Sequence, residues 1–399
     1  MIRCTIGVMA YNEEQMISHV LHALLAQRTD TCTILEIVVV ASGCTDRTVE
    51  YAQAIARYNP QISVIAEADR GGKARAINQL LAVARGEVVV LVGADTLPET
   101  NAIEELVRPF SDPQVGMTGA QVVPLNDPNT FMGLAVHVLW RMHHEMARRW
   151  PKLGEMVAFR NVVSAIPTDT AVDEVALEAL LTERGYTLVY EPKAIVYNLG
   201  PSTLGDFVNQ RRRIFAGHLA MVQSHNYVAA SMPPARLAQL ALAALRTYPQ
   251  RIPGVLGAMA LEGVARLAGT LDTLSQYSHH IWKPVRSTKA IERSHSLRVL
   301  AVRLDSADMA ATLAAAQQVP TTLGNLHWWD AEQGTLIFQL ASADADAALL
   351  NTLATLPGTA VCSAHMLSIA TAPTSSDDVV LNERALMPLR PLTFMEMGD

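Results

Sequence analysis

Along the first hundred residues, apolar positions switch between two periods. Arg3 to Ala10 is an apolar run that ends at Tyr11-Asn12-Glu13-Glu14. Met16, Ile17, Val20, Leu21, Leu24 and Leu25 then recur at the 3.6-residue spacing of one helix face. Ile34 to Val40 is rich in β-branched residues, as a strand covered on both faces should be. Thr45-Asp46 is placed to cap a helix running to Tyr58. Ile62–Ala66 reads as a strand, Lys73–Ala84 as a helix and Glu87–Val92 as another buried strand. Repeated strand–helix–strand units imply a parallel sheet with helices on both faces. Loops at the carboxyl ends of such strands build the ligand site, which gathers Ala10–Glu13, Ala41–Asp46, Asp69–Lys73 and Gly93–Thr96 around one crevice.

From Val115 to Gly217 the pattern is less regular. Phe131–Trp150 and Asp173–Arg184 read as helices, and Tyr186–Tyr197 as two short strands broken at Pro192. A boundary is expected near Met232-Pro233-Pro234. Beyond it Ala235–Leu274 is Ala/Leu-rich and helical, with interruptions at Pro249 and Pro253. From Leu297 the order strand, helix, hairpin, helix, strand is that of a small α+β ferredoxin-like module. Four segments are expected: 1–230, 231–294, 295–372, and a loosely ordered tail at 373–399.

Composition narrows the classes. A chain of 399 residues, 50% hydrophobic and 17% charged, has material for a real core and is not disordered. A net charge of −7 argues against general nucleic-acid binding, so any basic site is local. Cys4, Cys32, Cys44 and Cys362 include no CxxC pair, which excludes a zinc ribbon and suits a reducing compartment. No signal peptide is read, since Ile6-Gly7-Val8 is already a core strand. The most apolar stretch, Ile252–Leu271, carries Glu262 and Arg266 and is expected to lie on a membrane rather than span it.

Chemistry concentrates at the strand ends. Asp95 is a hard oxygen donor suited to Mg²⁺ or Mn²⁺. Asp173-Glu174 offers a carboxylate for proton abstraction, and Asp173 alone is equally a helix cap. Arg211-Arg212-Arg213 suits phosphate oxygens, or else is a solvated basic face. Asn12 reads as a helix cap. His143-His144-Glu145 lacks zinc-helix spacing and reads as helix surface, or else as the border of a cleft. His218 reads as a packing residue. Trp328-Trp329 is expected to bury one ring and leave the other for an interaction.

Several segments follow in a telling order: Ala10-Tyr11-Asn12-Glu13-Glu14, Val40-Ala41-Ser42-Gly43-Cys44-Thr45-Asp46, Asp69-Arg70-Gly71-Gly72-Lys73 and Val92-Gly93-Ala94-Asp95. Gly185-Tyr186, Tyr190-Glu191-Pro192-Lys193 and Gln210-Arg211-Arg212-Arg213 come after them. Together they resemble family-2 glycosyltransferases, in particular the catalytic part of cellulose, chitin and hyaluronan synthases and their nonprocessive relatives.

The resemblance covers about 225 residues. It implies an α/β GT-A fold: a Rossmann-like mixed sheet with helices on both faces, here followed by the helical segment and the small module. It further implies an inverting transfer from a UDP-sugar to a glycan, polysaccharide or lipid-linked acceptor, assisted by a divalent metal. Residues carried over for the nucleotide-sugar are Ala10, Tyr11, Glu13, Ser42, Lys73, Ala94 and Asp95, with Asp95 on the metal. Gln210, Arg211 and Arg213 fall on the diphosphate and acceptor side. Glu174 is preferred over Asp173 as base. Departures are Gly93-Ala94-Asp95 in place of Asp-x-Asp, Ser42 in place of a base-contacting Asp, and Ile214 in place of Trp.

The expected location is cytoplasmic, peripheral on the inner membrane face. The small module is expected to dimerise or dock a regulator. The competing readings are a degenerate nucleotide-sugar-binding protein and a sugar-phosphate nucleotidyltransferase; the latter's Gly-rich N-terminal signature is not matched.

Overall fold

A computed structural model describes residues 1–275 apart from 248, then 277, and 297–369 apart from 307, 321, 331–333, 342–344 and 357–358. The tail 373–399 and most of 276–296 therefore lie outside the described residues. The chain divides into two compact units, 1–291 and 292–399.

The first unit is built on strands β1 (Ile2–Ala10), β2 (Cys32–Ser42), β3 (Ile62–Glu67), β4 (Val88–Gly93), β5 (Leu97–Pro98), β6 (Val115–Pro124), β7 (Val157–Arg160) and β8 (Thr187–Asn198). They form one sheet in the order β3-β2-β1-β4-β7-β6-β8-β5. β1 pairs in parallel with β2 and β4, as the alternating pattern predicts. β7 then runs antiparallel between β4 and β6, which makes the sheet mixed.

Its helices are α1 (Ile17–Leu25), α2 (Thr48–Ala56), α3 (Lys73–Val83), α4 (Ala102–Val107), α5 (Phe131–Ala147), α6 (Asp173–Glu183), α7 (Leu204–His225), α8 (Pro234–Thr247) and α9 (Ile252–Leu274). The β-branched runs are buried on both faces. Val38, Val40, Val89 and Leu91 pack with Ile77 and Leu80 of α3 and Leu177 and Leu181 of α6. Ile37, Val39, Val88 and Val90 point to the other face and are equally sealed, at 0–1% exposure. Side chains alternate along a strand, so this requires cover on both sides.

The structure corrects several expectations. Tyr186–Tyr197 holds one long strand, β8, rather than two. Ala120 pairs with Glu191 and Gln121 with Ile195, so Pro192, which has no N–H to give, sits in a bulge that leaves the strand continuous. Pro253 does not interrupt α9; it occupies the first turn, where its missing N–H costs nothing. Asn12 caps no helix. It adopts a left-handed backbone (φ +52°), and its Oδ1 accepts the Thr45 N–H at 2.8 Å.

α8 and α9 belong to the first unit. α9 packs against α5 through Leu134, Val136, Val255 and Ala258. Against α7 it presents Gly269, where an added Cβ would stand 2.7 Å from the Arg212 carbonyl. By length and composition alone Pro249–Leu274 is the one candidate span among the described residues. Three of its charged residues are nonetheless engaged within the unit: Glu262 and Asp272 pair with Arg211 and Arg212 of α7, and Arg266 pairs with Glu262.

In the second unit, β9 (Leu297–Ser306), α10 (Met309–Ala316), β10 (Gly324–Asp330), β11 (Thr335–Leu340), α11 (Ala345–Ala354) and β12 (Thr359–Ile369) follow in βαββαβ order. The strands form an antiparallel sheet, β10-β11-β9-β12. Val302, Leu336, Phe338, Leu349 and Leu353 form its core, with Trp329 packed partly against it.

Candidate active site

The strand-end loops are stitched to one another before they meet any ligand. The Glu13 N–H donates to Thr48 Oγ1 at 2.7 Å, the Glu14 N–H to Asp46 Oδ2 at 3.1 Å, and the Arg47 N–H to Glu14 Oε2 at 3.1 Å. These bonds join the loop after β1 to the loop after β2. The Gly71 N–H donates to Ser42 Oγ at 3.2 Å, which adds the loop before α3. Gly43 allows that approach: it holds φ +65°, and a Cβ there would stand 2.5 Å from the Arg70 nitrogen. Arg70 lies over the Tyr11 ring at 3.9 Å.

Behind these loops is a cavity of about 600 Å³. Ala10, Tyr11, Glu13, Ser42, Lys73, Asp95, Asp173, Glu174, Gln210, Arg211 and Arg213 all line it, although they come from distant parts of the sequence. Ala94 does not. It is 1% exposed, with its N–H donated to the Met9 carbonyl at 3.0 Å, because this position completes the parallel pairing past the end of β4. Asp95 folds back over Gly93, where any side chain would stand 2.5 Å from its Oδ1.

Lys73 begins α3, and its ammonium lies 2.7 Å from Asp173 and 2.5 Å from Glu174 at the start of α6. The lysine expected to face a nucleotide is thus clamped between the two candidate bases. Burial works against its charge, but the two carboxylates outweigh that and raise its pKa. Burial also pushes Asp173 up. For Glu174 burial acts upward too, yet Lys73 and its hydrogen bond outweigh it, and the net shift is downward. Lys73 favours the ionised form of Glu174, which is also the more open member, at 21% side-chain exposure against 7%.

The arginine run is split three ways. Arg211 makes a two-pronged bond to Glu262, at 2.7 and 3.0 Å, and Arg212 a similar one to Asp272. Both are fastened to α9, so three guanidiniums do not gather on one diphosphate. Arg211 still lines the cavity. Arg213 donates to the Ala171 carbonyl at 3.0 Å, and Asp173, Glu174 and Glu155 are the acids acting on it.

Four further residues line the cavity and were not identified from the sequence as site residues: Glu155, Lys152, Glu262 and Ser231. Glu155 holds a left-handed backbone at φ +58°. Burial, then the charges of Asp95 and Glu174, push its carboxyl up to about 7. Nothing in Leu153-Gly154-Glu155-Met156 marked it, since it sits in an irregular connection with no period to read. His143 and His144 are not helix surface. His144 is 1% exposed with Nδ1 2.9 Å from the Tyr190 hydroxyl, and His143 lines the cavity. His218 is buried as expected but also faces the cavity.

The residues present fit a divalent cation. Asp95 and Glu155 are hard oxygen donors on one cavity, and Asp95 is the strongest like charge acting on Glu155. Among the described residues no group of three His, Cys, Asp or Glu side chains is placed to hold a metal by itself. A cation here would therefore draw further ligands from substrate phosphate and water.

The mixed sheet thus carries a strand-end carboxylate, a lysine-clamped acid pair and an arginine around one cavity. Residues 5–181 match the family model for glycosyl transferase family 2. That stretch runs from β1 into α6, less than half of the chain, and it resembles the family over that length. It is 28% identical over 220 residues to a poly-beta-1,6-N-acetyl-D-glucosamine synthase of Staphylococcus aureus, covering 51% of this chain and 51% of that protein. The chain thus spans about half the length of that curated relative. A glycosyltransferase, GlyG, of Streptococcus pneumoniae is 29% identical over 104 residues, 26% of this chain and 34% of its own. Among solved structures, a mannosyltransferase of Pyrobaculum calidifontis in complex with GDP-Man and Mn²⁺ is 26% identical, with a TM-score of 0.46 over 70% of this chain and 82% of that one. Glucosyl-3-phosphoglycerate synthase of Mycobacterium tuberculosis, in complex with Mg²⁺ and UDP, is 18% identical with a TM-score of 0.38, covering 55% and 79%.

Proposed function

We propose that the protein is an inverting glycosyltransferase that moves a sugar from a nucleotide-diphosphate sugar, a UDP-sugar, to a hydroxyl of a glycan or lipid-linked acceptor. The observation that carries this reading is the convergence of Asp95, Lys73, Glu174 and Arg213 on one cavity. Tyr11, Glu13 and Ser42 form the nucleotide end. Asp95, with Glu155, holds the cation, which when bound neutralises charge growing on the diphosphate. Arg213 adds a fixed positive charge beside it. Lys73 keeps Glu174 ionised and fixes its direction. Glu174 takes the proton of the acceptor hydroxyl as that oxygen bonds to the anomeric carbon. The bond from that carbon to the diphosphate oxygen breaks in the same displacement, and the nucleoside diphosphate leaves with the electron pair.

The chain would work at a membrane surface through α9. Leu256, Val264, Leu267, Leu271 and Leu274 are all exposed, by 51 to 76%, and share one outward face. That face is an amphipathic device of the kind that beds into lipid headgroups.

The test is a panel of nucleotide sugars with Mn²⁺ and Mg²⁺, scored for release of nucleoside diphosphate. Metal-dependent release that is lost in Asp95→Ala and falls at least about 100-fold in Glu174→Gln is the expected result. Nucleotide binding without turnover on any donor or acceptor would instead establish a binding protein.

A further inference from the structure

The cavity has two ends of different charge. At the Asp95 end, the charges acting most strongly on Glu155 are Asp95, Glu174, Lys73 and Arg213, of both signs. At the inner end, the charges acting on His218 are Lys152, Arg211 and Arg266, all cationic. Arg211 and Arg266 share the single carboxylate of Glu262, so one of their two charges is left over. Lys152 adds another; among the described residues it makes no ion pair within 4.0 Å. The acid acting most strongly on it, Glu178, has its oxygens engaged by the Leu153 N–H at 2.7 Å and the Tyr227 hydroxyl at 3.0 Å. Glu174 is already bound to Lys73.

Two polar atoms at this end have no partner. His218 Nε2 and Ser231 Oγ belong to side chains that are 2% and 5% exposed, line the cavity and make no hydrogen bond there. Buried polar atoms left unpaired are uncommon and costly. An ammonium, a hydroxyl and an imidazole nitrogen beside a positive surplus suit an oxyanion with several acceptor oxygens.

We infer that the inner end, formed by Lys152, His218 and Ser231 in the field of Arg211 and Arg266, is a phosphate-binding subsite for the acceptor. Its assignment to the acceptor rests on the reading above, in which the donor diphosphate lies at the Asp95 end. Glu174 and Glu155 both act on Lys152, so the two groups of charges adjoin within the one cavity. Leu237, Leu240 and Met259 line the same cavity, which gives an isoprenoid chain an apolar wall. A lipid phosphate and a soluble phosphate ester share the recognised chemistry.

Calorimetric titration of the full chain with inorganic phosphate, geranyl phosphate and geraniol tests this, with UDP or GDP plus Mn²⁺ titrated separately. Both phosphates should bind, geraniol should not, and Lys152→Met should weaken phosphate binding about 10-fold or more with nucleotide affinity unchanged. Should Lys152→Met fail to fold, Ser231→Ala, which removes a single hydroxyl, should weaken it about 3-fold or more. Tighter binding of geranyl phosphate than of inorganic phosphate assigns the subsite to a lipid phosphate, and equal binding to a soluble one. Phosphates that do not bind, or that bind equally to both variants, overturn the subsite. Phosphate binding without any nucleotide binding overturns the donor reading alone.

Discussion

Replacing Lys73 with methionine keeps the apolar stem and removes the ammonium that holds Asp173 and Glu174 at 2.7 and 2.5 Å. Two buried carboxylates are then left facing each other without a cation. Breaking a buried ion pair from one side costs about 3–5 kcal/mol. The lysine side chain is 30% exposed, so water softens the loss, and the lower end, roughly 3 kcal/mol, is the working figure. At roughly 2–4 °C per kcal/mol for chains of 150–250 residues, the melting temperature should fall by about 6 °C or more.

The loss also has a sign in pH. In the native protein the Glu174 carboxyl is lowered, so its contribution is present above the unfolded value and disappears as pH falls through the folded one. In the variant that contribution is gone. Burial and mutual repulsion raise both carboxyls, so the folded variant takes up protons and recovers stability as pH falls. Differential scanning calorimetry of both proteins at pH 8, 7 and 5 should show the widest gap at pH 8 and the narrowest at pH 5. A gap independent of pH, or a variant as stable as the native chain at pH 8, would refute the clamp.

Gly93→Ala places a methyl group 2.5 Å from Asp95 Oδ1 and forces that carboxylate to shift; Mn²⁺ affinity measured by electron paramagnetic resonance with nucleotide present should drop about 10-fold while the melting temperature changes little. Glu262→Gln strips the carboxylate that Arg211 and Arg266 share and should cost roughly 2–4 kcal/mol in denaturant unfolding; a change below about 0.5 kcal/mol would show that the Glu262 pairs do not hold α9. Leu267→Glu with Leu271→Glu puts two charges on the outward face of α9 and should abolish co-sedimentation with anionic liposomes without altering nucleotide binding. Unchanged co-sedimentation would exclude that face as the membrane contact.

The cavity itself explains why the acid pair and the lysine belong together. Each alone is a liability in a buried place, because a charge removed from water must be compensated. Lys73 compensates two carboxylates at once and favours the ionised form of the more open one, Glu174, which lines the cavity.

Local pattern was enough for the first hundred residues. The β-branched runs at Ile34–Val40 and Glu87–Val92, and the helix face from Met16 to Leu25, form where their periods place them, because burial against a sheet depends on spacing that neighbours in sequence can set. That Asp95 and Asp173-Glu174 reach one cavity was readable as well, since strand ends and helix starts in such a sheet point to one edge, whereas Ala94 is buried away from it. What sequence alone could not decide was which charges meet. Arg211, Arg212 and Arg213 are consecutive and chemically equal, yet a helix turns about 100° per residue and sends them to Glu262, Asp272 and Ala171. Glu155 and Lys152 lie in an irregular loop, and Ser231 and His218 lie far along the chain; only the tertiary packing brings them to one cavity. Long-range electrostatics depends on distance in space, so tertiary structure alone could separate the end of mixed charge from the cationic one.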